Sequence, residues 1–205
     1  MSRSGNEAIE QAAAIAETTG ARNLPVWGDL PLPADTANLR EGANLHDGLL
    51  GLLPMVGVWR GEGVGHGLGD DGVDLQYAEQ IIVSHDGQNR LNWQARSWTV
   101  DNRGDFVAPL FRESGFWRIS EDDSIEVVLA HAEGSIELFY GKPLSQTAWE
   151  IATDALVSTA TAPKLHGAKR LYGIAEDGAF AYVEERLVDG ELAPRLSAKL
   201  DRYAG

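Results

Sequence analysis

Residues able to do acid–base, nucleophilic or metal chemistry are spread thinly along this chain. Its five histidines, His46, His66, His85, His131 and His166, include no pair at the i, i+2 or i, i+4 spacing that aims two imidazoles at one metal, so no metal site is expected. His85 falls in a hairpin turn and His131 at a strand end, where an imidazole more often bonds backbone than does chemistry. Cysteine is absent, which removes thiolate metal sites, disulfides and cysteine nucleophiles together. Ser84, Ser114 and Ser135 lie in no G-x-S-x-G elbow, and no residue is assigned a catalytic role. The carboxylate clusters Glu121-Asp122-Asp123 and Glu184-Glu185 read as solvated charge, the first in a turn and the second straddling both faces of a strand.

Glycine supplies the densest pattern, with Gly61, Gly63, Gly65, Gly67 and Gly69 alternating. The third glycine of a dinucleotide fingerprint would fall on His66, Leu68 or Asp70, and no helix follows, so phosphate binding is not expected. In a strand, alternate glycines strip one face of side chains and let another segment approach the backbone. The leucine-rich stretch just upstream is the expected occupant of that bare face.

The elements that position these residues follow from periodicity. Residues 5–18 carry Ile9, Ala12, Ala13 and Ala16 at helical spacing, and Gly20 follows as a stop. Residues 23–33 hold three prolines and predict an extended strap pinned by Trp27. Leu45, Leu49, Leu52 and Leu53 share a helical face before Pro54, which predicts a helical plug ended by that proline. Beyond Pro54 the pattern turns to period two, in runs at 57–65, 75–84, 90–100, 111–120, 125–131, 135–140, 147–157, 165–174, 180–187 and 192–202. Short Asp-, Asn- and Gly-rich separators join them as consecutive antiparallel neighbours. An open sheet of that size would expose two edges, so the fold class predicted is all-β, an antiparallel meander barrel of about ten strands. The domain division expected is an N-terminal helix and strap over residues 1–45 and a barrel over 46–205.

Composition agrees with a globular chain of 205 residues, 43% hydrophobic and 23% charged. The formal charge of −14 has the wrong sign for a phosphate backbone, so nucleic acid is not an expected partner. No apolar run is long enough for a membrane span and the first residues lack a signal-peptide core, so a cytoplasmic location is expected. Five of the six tryptophans fall inside predicted strands, where they suit either a core or the lining of a ligand barrel.

Gly57-Val58-Trp59-Arg60-Gly61-Glu62-Gly63 matches the GxWxGxG signature that opens the first strand of the nitrobindin family, and Gly57, Trp59, Gly61 and Gly63 carry the match. Further blocks resemble the family in the same order: Ser84-His85-x-Gly87, Glu113-Ser114-Gly115-Phe116-Trp117-Arg118, Val128-Leu129-Ala130-His131, Arg170-x-Tyr172, and the closing Leu192-x-Pro194-Arg195-Leu196-x-Ala198-x-Leu200. The resemblance spans about residues 45–205, and the stretch upstream is similar to the longer mycobacterial branch. It implies a fatty-acid-binding-protein-like barrel holding ferric haem b, nitric oxide binding, and isomerisation of peroxynitrite to nitrate. It also implies an axial histidine in the last strand, and Arg195 stands in that position. A guanidinium has no free lone pair for iron. The expectation is therefore a nitrobindin-like barrel in which haem binding and the family activity are lost or weakened, with no cofactor unless His131 or His166 substitutes as ligand. The parity of its own strand places Arg195 with Ser197 and Lys199 on the wet face, while the family geometry points it into the cavity. Two other readings stay open: a carrier or sensor of a small apolar carboxylate, whose head Arg195 and Lys169 would pair, and an interaction module whose N-terminal 45 residues form a homodimer contact or bind a partner.

Overall fold

A computed structural model describes Glu10, residues 13–18 and residues 31–205. Residues 13–18 are helical, with Thr18 Oγ1 donating to the Ile15 carbonyl. The strap expected at 23–33 and its Trp27 pin lie almost wholly outside the described residues. The remainder of the fold is a unit running from Pro33 to Gly205.

That unit is a closed barrel of ten antiparallel strands: β1 Gly57–Gly65, β2 Leu75–Ser84, β3 Leu91–Val100, β4 Phe106–Ile119, β5 Ile125–His131, β6 Ser135–Ser145, β7 Ala148–Ser158, β8 Ala168–Ile174, β9 Phe180–Val188 and β10 Glu191–Ala204. Each strand pairs with its sequence neighbours, and β10 closes on β1, so no edge remains unpaired. Aspartates and glycines at positive φ make the turns, as at Asp123, Asp189 and Gly190. The strands β4 and β6 run longer than their hydrophobic periodicity, because their ends stand clear of the core and alternate no longer.

Residues 47–55 form the plug as a 3₁₀ segment rather than the expected α-helix, and Pro54 sits inside it instead of ending it. Tight i to i+3 turns suit a nine-residue stretch carrying two glycines and a proline. His46 Nδ1 caps its start by accepting from Gly48 N–H. Leu49, Leu52 and Met55 are fully buried. Two indoles clamp the plug: Trp149 Nε1 donates to the Gly51 carbonyl and Trp59 Nε1 to that of Met55, both at 2.8 Å. Residues 33–45 also bond to the barrel, through paired backbone bonds between Thr36 and His85 and through Asn92 Nδ2 to Asp35 Oδ2.

The GxWxGxG motif has a packing explanation. Trp59 stacks on Phe180 at 5.3 Å and lies under the Arg202 guanidinium at 4.1 Å. The bare inner face at Gly61 and Gly63, expected to be covered by the plug, is covered instead by β10 and a tyrosine. A Cβ at Gly61 would stand 2.1 Å from the Lys199 carbonyl oxygen, and one at Gly63 would stand 2.4 Å from the Tyr77 ring.

Candidate functional site

At the end away from the plug, the inward positions of the strands change from apolar to charged. Glu79 follows Tyr77 on the inner face of β2, Glu113 precedes Trp117 on β4, Glu137 precedes Phe139 on β6, Arg170 precedes Tyr172 on β8, and Glu184 and Arg186 follow Tyr182 on β9. With His131, all of these groups except Glu79 form one network. Arg170 Nη1 reaches Glu113 at 3.1 Å and its Nε lies 2.6 Å from Glu184. Arg186 pairs with Glu137 at 2.8 Å and Glu184 at 2.9 Å. His131 stands between two carboxylates, Nδ1 at 3.4 Å from Glu113 and Nε2 at 3.0 Å from Glu137. Trp93 Nε1 joins the network to the aromatic core by donating to Glu113 at 2.9 Å.

The charges set one another's protonation. Burial pushes the Glu113 carboxyl up, but Arg170 and His131 outweigh it and hold it below the ordinary carboxylate range. Burial acts likewise on Glu137, where bonds from His131 and Arg186 prevail and hold it at about 2. Glu79 has no cation in contact among the described residues and accepts only from Tyr182 Oη at 2.8 Å. Burial therefore raises it to about 8, and it is a neutral acid at pH 7.

These groups surround a cavity of about 120 Å³, whose apolar wall includes Ile81, Trp93, Phe111, Leu165 and Leu196 and whose mouth carries Arg112, Glu133 and Arg195. Arg195 faces it because β10 bulges there: Pro194 pairs with Glu185 and Leu196 with Glu184, leaving Arg195 as the extra residue. The bulge re-aims a side chain that strict alternation would put in solvent. Its Nε lies 3.5 Å from Glu184, its guanidinium faces the Phe111 ring at 5.8 Å, and burial lowers its pKa.

The other sequence candidates lie elsewhere. Lys169, expected to join Arg195 around an anion, points to the outer face, where Nζ sits 2.9 Å from Glu150. Strand alternation explains this, since Ala168 and Arg170 take the inward positions. Gly57, Trp59, Gly61 and Gly63 belong to the packed end of β1. His166 is exposed beside the mouth, with its carbonyl accepting from Arg186. His85 is fully buried, with its backbone paired to Thr36. Glu184, expected to be solvated, is 1% exposed and faces three guanidiniums. Sequence reasoning missed the network, although each member sits at the apolar parity of its own strand.

The residues suit a flat, largely apolar ligand with acidic groups: aliphatic and aromatic walls for its faces, Arg112 and Arg195 for its anions. Haem has that chemistry. Iron finds a poorer match, since Arg195 cannot ligate and both nitrogens of His131 face carboxylates.

Comparison with known proteins bears on this cavity. Residues 48–202 match the family described as the THAP4-like, heme-binding beta-barrel domain. The chain is 56% identical over 213 residues to Peroxynitrite isomerase 2 of Mycolicibacterium vanbaalenii, covering 98% of this chain and 99% of that one. It is 56% identical over 211 residues to Peroxynitrite isomerase 1 of Mycobacterium marinum, covering 98% of this chain and 93% of that one. The crystal structure of Rv2717c from M. tuberculosis is similar with a TM-score of 0.66 at 27% identity, over 78% of this chain and 99% of that one. The expectation of no cofactor is corrected by these matches: the family whose domain covers residues 48–202, nearly all of the barrel, is described as haem-binding. The chain belongs to the THAP4-like haem-binding β-barrel family, the nitrobindin and peroxynitrite isomerase family that its sequence blocks resemble.

Proposed function

We propose that this protein holds haem in the open-end cavity, more weakly than a barrel with a histidine at position 195, and that it acts on peroxynitrite as its relatives are named to do. The observation that carries the reading is Arg195, which the β10 bulge brings to the cavity where the family resemblance implies the iron ligand. When bound, haem supplies Lewis-acid and redox chemistry to a small ligand.

The protein's own residues supply the setting. Ile81, Trp93, Phe111 and Leu196 would pack on the macrocycle, and Arg112 and Arg195 would meet its propionates. The cavity's 120 Å³ is below the roughly 300–1,000 Å³ of ordinary ligand pockets. Entry therefore needs the mouth side chains, Arg195 first, to swing outward. The ion pairs of Glu113, Glu137 and Glu184 fix the floor, and Glu79, as a neutral acid, can donate a hydrogen bond toward an oxygen in the cavity.

Titrating the purified protein with hemin and following the ferric Soret band tests the reading. A saturable one-to-one transition that Phe111→Glu weakens is expected. Scattering of hemin without saturation would sink it. A second reading, a carrier of a small carboxylate, rests on the Arg195 terminal nitrogens, which have no hydrogen-bond partner among the described residues. Mass spectrometry of a carboxylic acid carried through native purification would favour it.

A further inference from the structure

The hairpin between β1 and β2 and the facing strand β10 bring together three residues that lie far apart in the sequence. His66 follows β1 directly and Asp74 immediately precedes β2. Ser197 pairs with Val64 across the β1–β10 seam, with its side chain outward. His66 Nδ1 lies 3.2 Å from Asp74 Oδ2, and His66 Nε2 lies 3.3 Å from Ser197 Oγ.

The group is held from behind. The second Asp74 oxygen accepts from Gly67 N–H at 3.0 Å, and Gly67 makes the turn at φ +64°, a conformation glycine adopts without strain. His66 N–H donates to the Arg195 carbonyl at 2.8 Å, fixing the base to the bulge of β10. The Gly67 bond and His66 together hold the Asp74 carboxyl below its ordinary range. An ionised Asp74 accepts a hydrogen bond from His66 Nδ1–H, which leaves Nε2 with its lone pair toward the Ser197 hydroxyl. That is the order of nucleophile, base and orienting carboxylate that activates a serine. Beside Ser197 opens a pocket of about 280 Å³ walled by Leu171, Val183, Pro194 and Leu196, with Lys169 on its rim. The pocket lies on the outer face of the barrel.

We propose that Ser197, His66 and Asp74 form a second site that accepts short acyl groups from activated esters. Ser197 Oγ bonds to the acyl carbon as its proton passes to His66 Nε2. The bond from that carbon to the leaving oxygen breaks, and His66 returns the proton to the departing alcohol or phenol. Water, deprotonated by His66, then attacks the acyl-serine, releasing the carboxylic acid and restoring the hydroxyl. Ser197 is paired with both Val64 and Val183, so the strand around it offers no row of free N–H donors to an oxyanion. The substrates are therefore esters with good leaving groups and not amides, whose cleavage depends more heavily on such donors.

Reaction of the full chain with a fluorophosphonate probe, followed by peptide mass spectrometry, tests the assignment without any substitution. One adduct per chain on Ser197 is expected. Turnover of p-nitrophenyl acetate should fall at least about tenfold in Ser197→Ala and in His66→Gln, in line with the loss of a general base. Adducts spread over lysines and tyrosines, or turnover unchanged in Ser197→Ala, would overturn the proposal. Hemin binding should be unaffected by Ser197→Ala, so failure of this site is distinguishable from failure of the cavity reading.

Discussion

At the plugged end of the barrel, Trp59 and Trp149 are fully buried and their indole N–H groups are satisfied by plug carbonyls. At the open end the same inward parity carries Glu113, Glu137, Arg170, Glu184 and Arg186, paired with one another. The first arrangement removes apolar surface from water and drives folding. The second desolvates charges whose attraction roughly repays that cost, so it adds little stability and instead fixes the floor of a cavity. A barrel that needed only stability would carry aromatics at both ends. Here the fold is anchored at one end and a cavity floored by ion pairs lies at the other.

Breaking the anchored end should cost most. Trp59→Ala removes a fully buried indole, its stack on Phe180 and its bond to Met55, and should destabilise by about 4 kcal/mol in urea unfolding. A loss below about 1 kcal/mol would show that the plug does not depend on it.

At the open end the outcome depends on whether one partner or both are removed. Arg186→Met leaves Glu137 and Glu184 short of a cation and should cost about 3 kcal/mol. Adding Glu137→Leu should recover much of that, because the orphaned charge goes too. A double variant as unstable as the sum of the singles would make the network a true source of stability and erase the contrast between the ends.

Protonation gives a smaller effect with a definite sign. Glu79 is raised to about 8 from an ordinary 4.5, so its contribution is complete below pH 4.5 and is lost as pH rises through 8. Glu137, held at about 2, runs the other way: its contribution is present above 4.5 and lost as pH falls toward 2. Melting temperature should therefore peak near about pH 5 and decline toward pH 9. Glu79→Gln keeps an acceptor for Tyr182 and should flatten the alkaline decline by a few degrees, on the order of 1 kcal/mol or more. An unchanged alkaline limb would mean that Glu79 is ionised in the fold.

The strands were legible because apolar residues recur at every second position, as Leu91, Trp93 and Ala95 do around Asn92 and Gln94, and because Asp-Gly chemistry marks the turns. The plug was legible in position but not in helix type, since leucine spacing cannot separate a 3₁₀ turn from an α-turn over nine residues. Lys169 and Arg195 show the limits at the site. Alternation would have put Lys169 outside, where it is, but nothing in Pro194-Arg195-Leu196 announces the bulge that turns Arg195 inward. The ion-pair network had a signal, charges at core parity on five strands. Reading Glu184-Glu185 as one solvated pair hid it. The His66, Asp74 and Ser197 contacts depend on β10 closing against β1, a pairing no local window contains.

The haem cavity that we propose at the open end is weakened at position 195. Soret titration of the wild type against Arg195→His, side by side at one hemin concentration series, tests it most directly. Both proteins should give a saturable ferric band. The variant should bind at least about tenfold more tightly, because an imidazole on the bulge supplies the iron bond that a guanidinium cannot. Equal affinities in two folded proteins, or no saturable band in either, would contradict the account.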